Sequence, residues 1–274
     1  MESKSKVTSE KHFETLLFQV SESGVGLITL NRPESLNALS LKMVEELYEL
    51  LHHLDGNREI RVIIITGAGR GFCSGADLSD EYLLVPSIQE GAASHLEIIQ
   101  RKYSGLIVKM RTLPQIIIAA VNGPAAGGGM CMALAADIVY AGPDATFVNS
   151  FINIGLSGGE LGSSWLLPRL VGSIRAAEII YTGRTVDAKE ADRIGLVSRL
   201  IKDKRRLVEA AMETALILTQ KNPVGLRQTK KVLNRNMDSM PFELAIEMED
   251  LNQSICVSMP EIRRAARKFR RKSI

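Results

Sequence analysis

The stretch IIIAAVNGPAAGGGMCMALAADI, residues 116–138, constrains what this chain can fold into more than any other. Its six leading apolar residues, Ile116 to Val121, read as a strand buried on both faces. Asn122-Gly123-Pro124 ends that strand, three glycines follow, and Met130–Ala136 is apolar and long enough for a helix. Glycine lacks a Cβ, so Gly127-Gly128-Gly129 lets the backbone come close to a neighbour. Amides in the first turn of a helix have no intrahelical carbonyl to bond and lie at the positive end of the macrodipole. Such a loop is a seat for negative charge, either standing or transient.

A second unit of the same kind lies upstream. Val62-Ile63-Ile64-Ile65-Thr66 reads as a buried strand and runs into GAGRGFCSGADL, with glycines at 67, 69, 71 and 75. This loop is not a dinucleotide fingerprint, because the third glycine position falls on Phe72 or on Ser74. Nor is it a phosphate loop, since no Gly-Lys-Ser/Thr follows. Two strand-to-glycine-loop units can each aim one backbone N–H at one oxygen, the arrangement that stabilises an oxyanion.

Together CSGADL and NGPAAGGG resemble the paired signatures of the crotonase superfamily, the enoyl-CoA hydratase/isomerase family. The resemblance extends from about Phe13 to the C-terminus. It implies an α/β fold built as a right-handed spiral of ββα units, with a C-terminal helical region that covers the site and builds trimers or hexamers. It places the oxyanion donors at Ala76 and Gly128, and a coenzyme A cleft along Arg32, Ala38, Ala76, Asp77 and Leu78, with Arg32 facing a phosphate. Coenzyme A then arrives as part of an acyl thioester substrate, and neither a tightly bound cofactor nor a metal is expected.

The rest of the chain reads as alternating strands and helices, an α/β pattern. Phe13–Val20 and Val25–Leu30 flank Ser-Glu-Ser-Gly, a hairpin signal. Ser40 is placed to cap a helix whose apolar residues Leu41, Val44, Leu47, Leu51 and Leu54 share one face. A helix over 95–111 precedes the central strand, and strands are expected at Ile138–Ala141 and around Phe147. Ser173 reads as the cap of a helix that ends at Gly183, Thr185–Gly195 as a short helix, and Leu196–Ile201 as a last strand. Helices are then expected at 206–220, 223–234, 241–255 and 260–272. The organisation is accordingly a core over 1–201 that carries the site, and a helical region over 202–274.

Charge and composition exclude several classes. A net charge of +3 does not by itself call for nucleic acid, and aromatic residues at 5% are too sparse for stacking platforms. Three cysteines without paired spacing make neither a disulfide framework nor a zinc site, which suits a reducing, cytoplasmic setting. No apolar run is long enough to span a membrane. Seven basic residues between Arg263 and Lys272 read as a solvated helix face or a phosphate contact.

The acid/base group is the less regular part. Typical hydratases of the resembling family carry two glutamates, and the matching positions here are Cys131 and Phe151. Cys131, between two methionines, reads as a small core residue. A third position, which holds an aspartate in dienoyl-CoA isomerases, matches Glu160 when counted back from Pro168-Arg169-Leu170-Val171-Gly172. Glu160 lies in a glycine-rich loop near Trp165 and is the expected catalytic carboxylate. One carboxylate suffices to move a proton between two carbons, and it can also activate a water. Asp80 and Glu81 read as surface groups, Asp77 and Asp137 as structural ones, and Asp144 as a turn residue. The reading is an acyl-CoA enzyme of the enoyl-CoA hydratase/isomerase type. The alternatives are an isomerase or hydrolase using the single carboxylate, or a non-catalytic member that binds CoA or RNA.

Overall fold

The computed structural model describes residues 13–80 and 92–237. The expected helices at 241–255 and 260–272, the basic tail and Glu81 lie outside the described residues.

The main sheet has six strands: β1 (Leu16–Val20), β2 (Val25–Leu30), β3 (Val62–Gly67), β4 (Ile116–Val121), β6 (Ile138–Ala141) and β9 (Arg199–Leu200). They lie side by side in the order β1-β2-β3-β4-β6-β9. The β1–β2 hairpin is antiparallel and every other pair is parallel. Successive residues of a strand face opposite sides, which explains why β4 and the first four residues of β3 are apolar. Ile63, Ile65, Ile117, Ala119 and Val121 enter one core, with α1 (Leu41–Asp55), α3 (Arg101–Thr112) and α4 (Gly128–Ala135). Val62, Ile64, Ile118 and Ala120 enter another, closed by Leu207, Ala210, Ala211 and Ala215 of α8 (Leu207–Thr219). Three alanines on that face bring the α8 backbone close to the sheet.

A second, three-stranded sheet, β5-β7-β8, is formed by β5 (Pro124–Ala126), β7 (Thr146–Val148) and β8 (Thr185–Asp187). It corrects the expected helix at Thr185–Gly195. Thr185 and Val186, both β-branched, pair with β7, and Asp187 then caps α7 (Ala188–Arg193) by accepting from the Glu190 amide at 2.8 Å. The expected strand Leu196–Ile201 shrinks to the two residues of β9. Ser40 caps α1 as expected, its hydroxyl accepting from the Met43 amide at 3.2 Å. The helix after Gly172, α6 (Ser173–Thr182), lacks the expected Ser173 cap: Gly172 holds the cap position. The helix expected at 95–111 is one continuous rod in three parts: α2 (Ala92–His95), a π-helical turn (Leu96–Gln100) and α3. Ahead of α6 lies α5 (Ser163–Val171).

The last described helix, α9 (Pro223–Asn236), is pinned by a buried ion pair. Lys230 Nζ lies 2.7 Å from Asp137 Oδ2 and also donates to the carbonyls of Gln115 (2.8 Å) and Met110 (3.2 Å). Burial pushes the Lys230 ammonium below the usual lysine range, against the opposing pull of Asp137. Asp137 Oδ2 also accepts from the Ile117 amide at 2.8 Å, so α9 is tied to the first turn of β4. Breaking a buried pair strands the remaining charge. Lys230→Met is therefore expected to destabilise the protein by about 3 kcal/mol, read as a lower urea midpoint with an unchanged m-value.

Candidate active site

The two glycine loops are stitched together by their backbones. The Phe72 and Cys73 amides both donate to the Pro124 carbonyl at 3.0 Å, and the Ala126 amide donates to the Cys73 carbonyl at 2.9 Å. A side chain is excluded at this seam: a Cβ on Gly129 would stand 2.1 Å from the Cys73 carbonyl oxygen. The glycine run thus admits the other loop as much as any ligand. Gly75 has a φ of +92°, and a Cβ there would lie 2.7 Å from the Ala126 carbonyl and 3.4 Å from the Gly128 nitrogen. Residue 75 and the Gly128 amide are therefore near neighbours.

Ala76 is held from the other side by α1's entry strand. The Leu39 amide donates to the Gly75 carbonyl (2.8 Å) and the Asp77 amide to the Leu39 carbonyl (3.0 Å), which leaves the Ala76 N–H facing away from Leu39. Gly127 donates to Val148 of the second sheet at 2.8 Å, and Gly128 opens α4. Among the described residues no backbone or side-chain acceptor takes the amide hydrogen of Ala76 or of Gly128. Both residues line one cavity of about 280 Å3, together with Ser74, Gly75, Phe151, Glu160 and Leu161. Its opposite wall is the helical rod, through His95, Ile99, Gln100 and Tyr103.

Glu160 is half-buried at the edge of this cavity. Its backbone amide donates to the Ser163 hydroxyl at 3.1 Å, and that hydroxyl donates to the Gly158 carbonyl at 3.0 Å. Among the described residues it is the one carboxylate that lines the cavity. Trp165, expected beside it, is not among the residues lining the cavity, and its ring carries the Arg169 guanidinium 4.0 Å from the ring centroid.

The expected CoA-contacting residues cluster at the same loops. Arg32 Nη1 bonds Asp77 Oδ2 at 2.7 Å and the Ala38 carbonyl at 2.9 Å, joining the turn after β2 to the Ala76 loop. Asp77 Oδ1 accepts from the Ser79 hydroxyl (2.6 Å) and amide (3.1 Å). These Ser79 bonds, with Arg32, outweigh burial and hold the Asp77 carboxyl below the usual carboxylate range. Leu78 is exposed at the cavity rim and Ala38 is buried. Asp80 caps α1 by accepting from the Leu41 amide at 2.9 Å, and Asp144 pairs with Lys204.

Comparison with known proteins decides the family. The enoyl-CoA hydratase/isomerase family model matches residues 20–273. A probable enoyl-CoA hydratase of Mycobacterium bovis is 42% identical over 238 residues, which cover 84% of this chain and 80% of the relative. The 1,2-epoxyphenylacetyl-CoA isomerase of Escherichia coli is 37% identical over 214 residues, 78% of this chain and 79% of that one. The crystal structure of a probable enoyl-CoA hydratase/isomerase from Mycobacterium abscessus superposes with a TM-score of 0.85 at 34% identity, covering 95% of this chain and 96% of the other. The chain belongs to the enoyl-CoA hydratase/isomerase family.

It is therefore an acyl-CoA-processing enzyme of the crotonase type, a member whose cavity departs from the two-glutamate pattern. The Cys131 side chain is buried, and burial, with the nearby Glu160 charge, pushes its thiol up to about 12. Phe151 fills the second position with a ring against the cavity. His95, Gln100 and Tyr103 were not legible as cavity residues, because the rod that carries them shows only a helical pattern. Tyr103 anchors that rod by donating to the Leu39 carbonyl at 2.8 Å, and burial raises its phenol above the ordinary range. In this member of the enoyl-CoA hydratase/isomerase family, Gly129→Ala should cost about 1–3 kcal/mol in stability through overpacking at the loop seam. It should also lower turnover at least tenfold, whereas Gly56→Ala, with nothing within 4 Å, should change neither; thermal melts and kcat report both.

Proposed function

We propose that the Ala76 and Gly128 amides form an oxyanion hole for an acyl-CoA thioester, and that Glu160 is the acid/base which moves a proton beside it. The supporting observation is that two acceptor-free amides and a single carboxylate line one cavity. Removing the proton from the carbon next to a thioester turns its carbonyl into an enolate oxygen. Two fixed amides stabilise that charge without reorganising, and each such donor typically contributes about 3 kcal/mol. The Glu160 carboxylate takes the α-proton and, as a carboxylic acid, returns it to the γ-carbon as the double bond shifts. Charge and protons balance with no second group, so isomerisation of an unsaturated acyl-CoA is the reaction this cavity supports best.

Hydration is the second reading, favoured by His95 on the same wall, since a second proton carrier would let Glu160 activate water while the α-carbon is protonated. Arg32, Ala38, Ala76, Asp77 and Leu78 would line the CoA cleft, the part of Arg32 not engaged by Asp77 facing a phosphate. Residues 1–201 would carry the site, while 202–274 would complete its cover and assemble a homotrimer or hexamer. Among the described residues no helix is long and apolar enough to cross a membrane, and three cysteines without paired spacing suit a cytoplasmic setting. Neither the composition nor the described surface calls for nucleic acid.

A panel of 2-enoyl-, 3-enoyl-, dienoyl- and 3-hydroxyacyl-CoA thioesters in deuterated water, read by mass spectrometry, separates the reactions. Isomerisation is expected, with the transferred proton largely retained and deuterium entering the α- or γ-carbon only as far as the Glu160 acid exchanges with solvent before returning it; addition of solvent oxygen would favour hydration. Glu160→Gln should lower kcat by 10²–10⁴-fold, roughly the contribution of one general acid/base, while CoA binding and the unfolding midpoint stay unchanged. Undiminished turnover in that variant would remove Glu160 from the mechanism.

A further inference from the structure

The rod over the cavity is helical from Ala92 to Thr112, yet Leu96–Gln100 is a π turn. In a regular α-helix a residue five positions on lies about 140° around the axis, so His95 and Gln100 would face different ways. The wider turn takes up an extra residue, and both side chains reach the same cavity, with Ile99 and Tyr103 between and after them. Single-turn π segments of this kind recur at functional sites.

What the turn delivers is an amide on the carboxylate. Gln100 Nε2 donates to Glu160 Oε1, and the Leu161 amide donates to the same oxygen at 3.0 Å. Among the described residues no donor meets Oε2. The residue that supplies this amide has an unusual backbone: Leu161 is a bulky residue at φ +48°, a conformation that persists only where the surroundings hold it. Those surroundings are the buried Leu161 side chain, whose Cδ1 would lie 3.4 Å from a Cβ on Gly128, and the Ser163 hydroxyl bonded to the Glu160 amide.

We propose that Gln100 is a positioning residue for proton transfer: with the Leu161 amide it occupies Oε1 and turns Oε2 of Glu160 toward the substrate. This rests on the reading of Glu160 as the acid/base. A glutamine suits the task because its neutral amide orients a carboxylate without placing a cation beside it. Both donors hold one edge of the carboxylate, so the basic edge points one way and the proton is picked up and set down along that direction. A carboxylate left free to rotate loses that alignment, and misplacement by about 1 Å can cost on the order of 100-fold in rate.

The experiment is a double-mutant cycle on the thioester of the panel that turns over. Gln100→Met keeps side-chain length and removes the donor; Gln100→Asn keeps the amide but falls one methylene short. Both should lower kcat 10- to 100-fold and leave KM within threefold and the thermal midpoint nearly unchanged. In a Glu160→Asp background, where the carboxylate is already withdrawn from the amide, Gln100→Met should change kcat less than twofold. A loss that multiplies in both backgrounds, or one that falls on KM alone, overturns the positioning role. An inactive Glu160→Gln beside a fully active Gln100→Met overturns this proposal only. Full activity in Glu160→Gln overturns the acid/base reading and this proposal with it.

Discussion

The amide hydrogens of Phe72 and Cys73 converge on one oxygen, the Pro124 carbonyl, and the Cys73 carbonyl is returned to the Ala126 amide. This small patch of backbone pairing between two loops is what the site depends on. It requires that residue 129 have no side chain and that residue 75 adopt a conformation ordinary residues avoid. Among the described residues these pairings leave the amides of Ala76 and Gly128 without an acceptor. A buried amide without a partner is costly. Ala76 is half-buried and Gly128 buried at the cavity wall, and on the proposed reading a thioester oxygen would relieve that cost.

Two buried asparagines hold the upstream loop in register with that seam. Asn37, with a φ of +58°, donates to the carbonyls of Ala68 and Gly71 at 3.0 and 2.9 Å. Asn122 accepts from the Gly67 amide at 3.1 Å and donates to the Gly69 and Gly71 carbonyls. The loop between Gly67 and Gly75 therefore has side-chain partners from both directions where a strand ladder is absent. Asn122, read from the sequence as a strand breaker, does that and also supplies the amide that shapes the neighbouring loop. The asparagine tolerates the left-handed backbone at 37 that its bonding geometry needs.

The strands were legible because burial on both faces writes an unbroken apolar run, and Val25–Leu30 and Ile138–Ala141 fall where the pattern places them. Thr185–Asp187 misled because a three-residue strand leading directly into a helix carries no period of its own; only its pairing with β7 reveals it. The two glycine loops were legible because a loop that must be glycine-rich announces itself; Ala76 and Gly128 within them are singled out by the family resemblance. The π turn was not, since one extra residue in a helix leaves the amphipathic pattern almost unchanged, and Gln100 meets Glu160 across a separation of 60 residues. Glu46 was hidden for a similar reason: it is buried in α1 to accept from the Thr15 amide and hydroxyl, contacts that no helical periodicity reports.

The same distinction orders the chemistry. On the proposed reading, charge stabilisation comes from backbone, whose geometry is set by glycines and by sheet pairing. Proton transfer comes from side chains, which can change without disturbing the loops. At the two positions where the family resemblance expects carboxylates, Cys131 and Phe151 are part of the packed wall, the thiol buried and the ring against the cavity. Neither can accept a proton from carbon at neutral pH: Phe151 has no titratable group, and burial holds the Cys131 proton in place up to about 12. Among the described residues the one carboxylate lining this cavity comes from the loop before α5, where the strained Leu161 backbone and the π turn of the facing rod meet. On the proposed reading, two backbone amides and one carboxylate held by Gln100 and the Leu161 amide make a site in which the ligand class is set by the fold and the reaction by a few side chains.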